Sequence, residues 1–449
     1  MTDHAVASYS FISPVLQELQ ARGFLYQCSD FMALDKRLAE APITFYIGFD
    51  ATATSLHVGN LMTLMVTRIM LRHGHHALVL IGEATTKIGD PTGKDKQRKV
   101  LEPHEVRRNV TALEAQIKAF LKADGTPPSA AVASLQFVNN ETWLSPLKYL
   151  DFLRDYGSCF TINRMLTFDS VKNRLDRESP LTYLEFNYLI LQSFDFLELY
   201  RKHDCILQLG GADQWSNILS GMELIRRKEQ AQAFALTIPL ITNTNGQKMG
   251  KTTDGAVWLD ETQLTPFDYW QFWRNTHDDD VLRFMRFFTD LPLTTLRQYE
   301  GEKTADINAL KKQLADKATT LVHGQHVLAP IHSAVERLFE KGSADLTSKG
   351  KDAQGNSILE CAVPIHKQPL GTLKKGMDLI DLLVSSQLTK SKGEARRLIQ
   401  GGGCRVNDEK VSSDATLITE THLDEHRTVK IAAGKKKFVY IQFLQGDNF

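Results

Sequence analysis

The strongest constraint on the fold lies in residues 44–81. A short apolar run, Thr44 to Phe49, enters a polar, Gly-punctuated turn that closes with HVGN, His57 to Asn60; Leu61 to Arg72 is then apolar nearly all round, and a second apolar run follows at Ala77 to Ile81. This pattern reads as strand, buried helix, strand, and two parallel strands joined through a helix require a right-handed crossover. The expected fold class is therefore α/β, a Rossmann-like doubly wound parallel sheet. Ligands of such sheets bind beyond the carboxyl ends of the strands, where the free N–H groups of a helix start favour an anion. Gly59 removes the side chain that would block close approach, with His57 and Asn60 beside it as donors. A plain helix cap is the competing reading of the same residues.

Later stretches repeat the theme. The loop after Ile81, GEATTKIGDPTGKDKQRK, carries Asp90, Lys94 and Arg98. It is not a phosphate-binding GxxxxGK[ST] loop, because Gly89 to Gly93 is one residue short and Asp95 follows Lys94, so a charged surface loop stays open. A helix over Tyr183 to Tyr200 places Tyr188, Gln192 and Asp195 on one face of an otherwise apolar segment. Buried polar groups cost free energy unless they find partners, so this face lines either a polar pocket or solvent. The strand Cys205 to Leu209 runs into GGADQW, where Gly211 and Asp213 suit a ribose or a capped tight turn. After Phe234 to Ile241 comes NTNGQKMGKTTDG, whose Lys248, Lys251 and Thr252 suit either a clamp on polyphosphate or a solvated hinge.

Further elements are expected as helices over Pro14 to Glu40, Pro103 to Ala123 and Leu144 to Tyr156, with a strand at Leu135 to Val138. From Thr265 the periodicity is helical throughout, over Val281 to Leu291, Asp306 to Val322 and Val327 to Phe339. A chain of 449 residues exceeds one compact core. The expected division is an α/β domain over 1–262, an α-helical domain over 263–340, a polar linker over 341–372 and a small α+β domain over 373–449. In that last part a helix over Lys390 to Gln400 presents Lys392, Arg396 and Arg397, a hairpin-like VNDEKV follows, and Lys410, Lys435 and Lys436 add local charge. The formal net charge is +0, so any surface for RNA phosphates has to be local, and a solvated basic face is the alternative. The five cysteines are scattered and odd in number, which argues for a reducing, cytoplasmic setting and against a zinc or disulfide framework; no metal ligands are expected. No apolar run is long enough to span a bilayer.

Taken together these motifs resemble the bacterial type of tyrosyl-tRNA synthetase, within the first class of aminoacyl-tRNA synthetases. HVGN resembles the HIGH signature and KMGKT, Lys248 to Thr252, the KMSKS signature. YxxxQxxD at Tyr188, Gln192 and Asp195, with GGADQW and GDPTGK, is more specific to the tyrosyl family. The helical segment resembles its anticodon-side domain, and the C-terminal part resembles the RNA-binding fold of the fourth small-subunit ribosomal protein.

The resemblance implies roles for individual residues. Tyr46 and Asp195 would hold the substrate phenol, Asp90, Tyr188 and Gln192 its ammonium group, and Asp50 and Gln214 would belong to the same tyrosine pocket. Thr52, His57, Gly59 and Asn60 would face the ATP phosphates, Gly211 and Asp213 the ribose, and Lys94, Arg98, Lys248, Lys251 and Thr252 the pyrophosphate. It also implies L-tyrosine, ATP with Mg2+, and tRNA(Tyr) as partners, and a homodimer in which each tRNA spans both subunits. Asn60, Gly250 and Ile47 depart from the family pattern, and Ile47 replaces a cysteine associated with a ribose contact. Two competing readings are a tryptophanyl relative or nucleotidyltransferase on the same fold, and an RNA-binding protein that has lost catalysis.

Overall fold

The computed structural model describes residues 9–91, 101–122, 134–242, 244, 249, 251–252, 255–301, 306–339, 365–424, 427–434 and 437–444. Lys94, Arg98, Lys248, Lys435, Lys436 and most of the expected linker lie outside them, as do the side chains of Lys251 and Thr252.

The expected βαβ unit is present. Strand β2 (Thr44–Asp50) leads through helix Val58–Arg72 to β3 (His76–Gly82), which pairs with it in parallel from Thr44↔His76 to Asp50↔Gly82. The sheet is completed by β1 (Gln27–Cys28), β4 (Leu135–Asn139), β5 (Cys205–Gly211) and β6 (Phe234–Ile238), in the order β1-β6-β5-β2-β3-β4. Every pairing is parallel except β1 with β6. The chain builds outward from β2 to β4, then returns to β5 on the other side of β2. That reversal opens a crevice at the carboxyl ends of β2 and β5. Val58, Leu61, Leu64, Met65 and Ile69 of the crossover helix are buried, as its all-round apolar pattern requires.

Several element boundaries differ from expectation. Pro14–Glu40 is two helices, Pro14–Arg22 and Phe31–Glu40: Gly23 closes the first in the left-handed region at φ 86°, and β1 lies between them. The helix expected over Leu144–Tyr156 is split into Glu141–Leu144 and Tyr149–Tyr156, with Pro146 in the break. Pro239 ends β6 early, and Val281–Leu291 stops at Phe288 before a new helix, Leu293–Gly301. The basic helix begins at Lys392, capped by Ser391, whose hydroxyl accepts from Glu394 N.

The compact units also fall otherwise than the expected segments. One comprises Met1–Asp260 with Arg274–Val322, the other Glu261–Trp273 with His323–Phe449. Within the first, buried Arg22 donates to the carbonyls of Arg286, Thr289 and Leu291, capping the end of helix Val281–Phe288, while Arg68 and Arg72 pair with Asp290. The helices over 281–322 thus belong with the α/β sheet rather than apart from it.

In the second unit a five-stranded sheet runs β9-β8-β10-β11-β7, from β7 (Ile365–Pro369), β8 (Cys404–Val406), β9 (Glu409–Lys410), β10 (Thr428–Ala433) and β11 (Lys437–Leu444). The β8–β9 hairpin turns at Asn407 and Asp408, both at positive φ, the combination a tight two-residue turn needs. Leu379, Leu382, Ile399, Val429, Ile431 and Ile441 form its core.

Candidate functional site

The crevice is a cavity of about 660 Å3, within the roughly 300–1,000 Å3 range of small-molecule sites. Tyr46, Asp50, Thr52, His57, Gly59, Asn60, Asp90, Tyr188, Gln192, Asp195, Gly211, Asp213 and Gln214 all line it. Residues spread over more than 160 positions of sequence are thereby brought together. They arrive on five parts of the fold: β2 and the turn after it, the start of the crossover helix, the loop after β3, helix Tyr183–His203, and the end of β5 with the turn that follows.

Helix Tyr183–His203 starts at a capping box in which Thr182 accepts from Glu185 N and Glu185 accepts from Thr182 N. This fixes the register that turns Tyr188, Gln192 and Asp195 inward. Asp195 is 1% exposed. Trp143 Nε1 donates to its Oδ1 at 2.7 Å and Asn140 Nδ2 to its Oδ2 at 3.0 Å. Burial pushes its carboxyl up, the two donors pull it back, and the Asp50 charge adds to the rise, leaving it at about 7. On β2 the hydroxyl of Tyr46 is buried with no hydrogen-bond partner, and its pKa is raised, first by burial and then by the Asp195 charge. An orphaned buried hydroxyl beside a carboxylate costs free energy in the empty site, and a ligand hydroxyl placed there can pair with both.

A second cluster involves other residues of the cavity lining. Tyr188 donates to Asp50 Oδ2 at 2.9 Å, Gln214 Nε2 to Asp90 Oδ2 at 2.9 Å, and Asn217 Nδ2 to Gln192 Oε1 at 3.0 Å. Carboxylates, a phenol and amides in this arrangement suit a cationic group such as an ammonium.

At the helix start the cap reading of HVGN is seen directly. Gly59 N donates to His57 Nδ1 at 3.0 Å and His57 N to Asn60 Oδ1 at 3.1 Å, a reciprocal cap. Because Nδ1 accepts, the neutral ring carries its proton on Nε2 and remains a donor on that side. A Cβ on Gly59 would lie 2.8 Å from the His57 ring, so glycine keeps the cap in place. At the end of β5, a Cβ on Gly211 would lie 2.9 Å from Asp213 Oδ1, and glycine is again what fits. Ile47 is fully buried and does not line the cavity, so the contact associated with a cysteine at that position is not made by its side chain.

Lys251 and Thr252 form a two-residue strand paired with Gly255–Ala256, and Met249 lines the cavity. The root of their loop is held by Asp280, 1% exposed, which accepts from Thr244 N at 3.0 Å and pairs with Arg283; Arg283 also donates to the Thr242 carbonyl. In the second unit Arg396, Arg397 and Lys410 are exposed, while Lys392 pairs with Asp381. Exposed Arg405 stands directly opposite Lys410 across the hairpin. Like charges facing each other are unfavourable unless an anion joins them.

Reading the sequence missed Thr85, Asn140, Trp143, Gln208 and Arg405. Asn140 follows the carboxyl end of β4, and its position beyond a parallel strand is the signal that could have marked it. Gln208 pairs in register with Tyr46, lines the cavity and has a buried, unpartnered Oε1.

Comparison with known proteins places this geometry. The family described as tRNA synthetases class I (W and Y) matches residues 38–340, and the tyrosine--tRNA ligase SYY-like C-terminal domain matches residues 362–441. A tyrosine--tRNA ligase of Caulobacter sp. (strain K31) is 47% identical over 97% of this chain and 99% of its own length. One of Rickettsia prowazekii is 41% identical over 95% and 99%. Among solved structures, the C-terminally truncated mitochondrial tyrosyl-tRNA synthetase of Aspergillus nidulans is 28% identical, with a TM-score of 0.65, over 72% of this chain and 94% of that one. A tryptophanyl-tRNA synthetase of Encephalitozoon cuniculi shares the fold at 12% identity and a TM-score of 0.52. With a family match over residues 38–340 and 47% identity to a bacterial relative over nearly the full length, the chain belongs to the bacterial tyrosine--tRNA ligase family of the class I aminoacyl-tRNA synthetases.

Proposed function

We propose that the cavity joins L-tyrosine to ATP and that the chain then passes tyrosine to tRNA(Tyr). One observation carries the choice of amino acid: an unpartnered buried Tyr46 hydroxyl beside an Asp195 whose two oxygens already accept from Trp143 and Asn140. A ligand phenol satisfies that end, and phenylalanine would leave it unpaired. Tyr188, Gln192 and Asp90 receive the ammonium group, with Asp50 and Gln214 orienting them.

The tyrosine carboxylate, already ionised at neutral pH, attacks the α-phosphorus of ATP. A mixed carboxylic–phosphoric anhydride forms, the bond from the α-phosphorus to the oxygen bridging to the β-phosphorus breaks, and pyrophosphate leaves. A terminal ribose hydroxyl of the tRNA then attacks the carbonyl and AMP departs. No covalent nucleophile on the protein is required. The site contributes positioning and charge: His57 and Asn60 at the helix start and Thr52 in the turn before it donate to the phosphates, Asp213 beside Gly211 accepts from the ribose, and Lys94, Arg98, Lys248, Lys251 and Thr252 serve the pyrophosphate. Magnesium would enter with the nucleotide substrate; among the described residues no group of three His, Cys, Asp or Glu could hold a metal ion.

For tRNA, the exposed Arg396, Arg397 and Lys410 supply cations, with Lys392 on the same helix as the two arginines and Lys435 and Lys436 further along the sequence. Exposed Tyr149 and Tyr183 meet through their hydroxyls at 2.8 Å, and Leu150, Ile162 and Leu184 are exposed as well; apolar side chains left in water on these helices support a homodimer. No helix among the described residues is long and apolar enough to cross a membrane, and Cys28, Cys159, Cys205 and Cys404 are free thiols, as expected in the cytoplasm.

The test is ATP–pyrophosphate exchange with each standard amino acid. Tyrosine alone should support it, and Asp195→Ala should weaken tyrosine activation more than ATP binding. Exchange with tryptophan alone, none with any amino acid, or unchanged exchange in Asp195→Ala would each overturn the reading.

A further inference from the structure

Thr85 belongs to none of the family motifs, yet it sits at the centre of the site's polar network. It is 3% exposed, on the single turn Glu83–Thr86 that follows β3. Its hydroxyl donates to Asp50 Oδ1 at 2.9 Å and accepts from Asn140 Nδ2 at 3.0 Å. Asn140 is fully buried, and its Oδ1 accepts from Ala84 N at 2.9 Å. That backbone donor fixes which way the amide faces: its NH2 group must point to Thr85 and to Asp195.

The direction of each hydrogen bond in the chain then follows. Asn140 gives one proton to Asp195 and one to Thr85. Thr85 has a single proton and, having accepted, gives it to Asp50. Tyr188 gives its own proton to the other oxygen of Asp50. The Tyr188 oxygen accordingly offers lone pairs to the cavity, and Asp195 offers acceptors at the opposite end. Donors on a ligand are thus demanded at both places at once, by one connected set of bonds. Gly82 keeps room for this arrangement, because a Cβ there would collide with Thr85 Oγ1 and lie 2.5 Å from Asp50 Oδ1.

We propose that Thr85 is a positioning residue for tyrosine recognition: its hydroxyl, held between Asn140 and Asp50, joins the two ends of the amino-acid pocket in one hydrogen-bond chain and holds Asn140 against Asp195 and Asp50 against Tyr188. The inference rests on the cavity being the tyrosine site.

The experiment compares full-length wild type, Thr85→Val and Thr85→Ser in ATP–pyrophosphate exchange, with KM for tyrosine and ATP and the tyrosine-to-phenylalanine ratio of kcat/KM as readouts. Val keeps the shape and removes the hydroxyl, leaving the Asn140 donor and the Asp50 acceptor unpaired. Thr85→Val should raise the KM for tyrosine roughly tenfold or more and lower the tyrosine-to-phenylalanine ratio by a similar factor, with the KM for ATP within about twofold. Thr85→Ser should restore both amino-acid readouts. A purely packing role would instead leave the discrimination ratio at the wild-type value or shift the tyrosine and ATP constants together, and either result overturns the proposal. If Thr85→Val fails to fold by thermal melting, Thr85→Ala removes the same hydroxyl without the added methyl and must show the same loss of discrimination. Failure of the underlying reading is separately visible, as absence of tyrosine-dependent exchange in the wild type.

Discussion

Trp143 and Asp195, 52 residues apart, meet through an indole N–H donated to a buried carboxylate oxygen at 2.7 Å. The bond keeps that oxygen an acceptor and offsets part of the cost of burying the charge. Replacing Trp143 by Phe keeps most of the apolar packing and removes the donor. Tyrosine affinity should fall roughly tenfold, as expected for about 1–2 kcal/mol lost at a charged acceptor, with ATP affinity unchanged. Equilibrium dialysis with each substrate separately measures this, and equal losses for both would point to collapse of the cavity instead.

Titration of the same carboxylate makes tyrosine binding pH-dependent. With its carboxyl at about 7, the Asp195 acceptor is ionised above that value and protonated below it. One unit lower, about a tenth of the molecules present the ionised form, so tyrosine should bind about tenfold more weakly near pH 6 than near pH 8. The stability sign is opposite. The folded value lies above the ordinary 3.8, so the empty protein loses stability as pH rises from about 4 through 7, where the folded state must begin to bury the charge. Asp195→Asn should flatten both profiles, read by dialysis and by urea unfolding.

Asp280 ties the root of the lysine-bearing loop to the helices that follow it. Removing its side chain frees Thr244 N and strands Arg283, a loss of roughly 1.5–3 kcal/mol by the usual worth of a charged hydrogen bond. Asp280→Ala should lower the denaturation midpoint and raise the KM for ATP, leaving tyrosine affinity as it was. An ATP constant equal to that of the wild type would show that the anchor serves stability alone.

Glu18 offers a second pH handle, away from the cavity. Burial alone would raise its carboxyl, but hydrogen bonds from His73 and Arg22 and the charge of Arg72 outweigh it and hold the group at about 2. A depressed folded value contributes stability above the ordinary 4.5 that is lost as pH falls toward 2. Glu18→Gln should therefore be less stable at neutral pH and show a shallower acid limb, measured as urea midpoints across that window. Parallel acid limbs in the two proteins would remove the assignment.

Much of this molecule could be read from local pattern. Apolar runs of strand length around an all-round apolar helix specified the first parallel unit, because burial on every side leaves a segment few places to go. The spacing of Tyr188, Gln192 and Asp195 placed them on one helix face, since 3.6-residue periodicity is a property of the backbone itself. The glycine and donors of HVGN marked a helix start for the same reason. What local pattern could not contain was the pairing of groups distant in the chain. The strand order β1-β6-β5-β2-β3-β4, the attachment of the 281–322 helices through Arg22, Arg68 and Arg72, and the network from Trp143 and Asn140 through Thr85 to Asp50 all depend on where separate segments meet. A threonine or asparagine in a turn looks alike in sequence whether water or a buried carboxylate takes its proton. Only the folded chain, by excluding water and leaving each donor one acceptor, decides which it is.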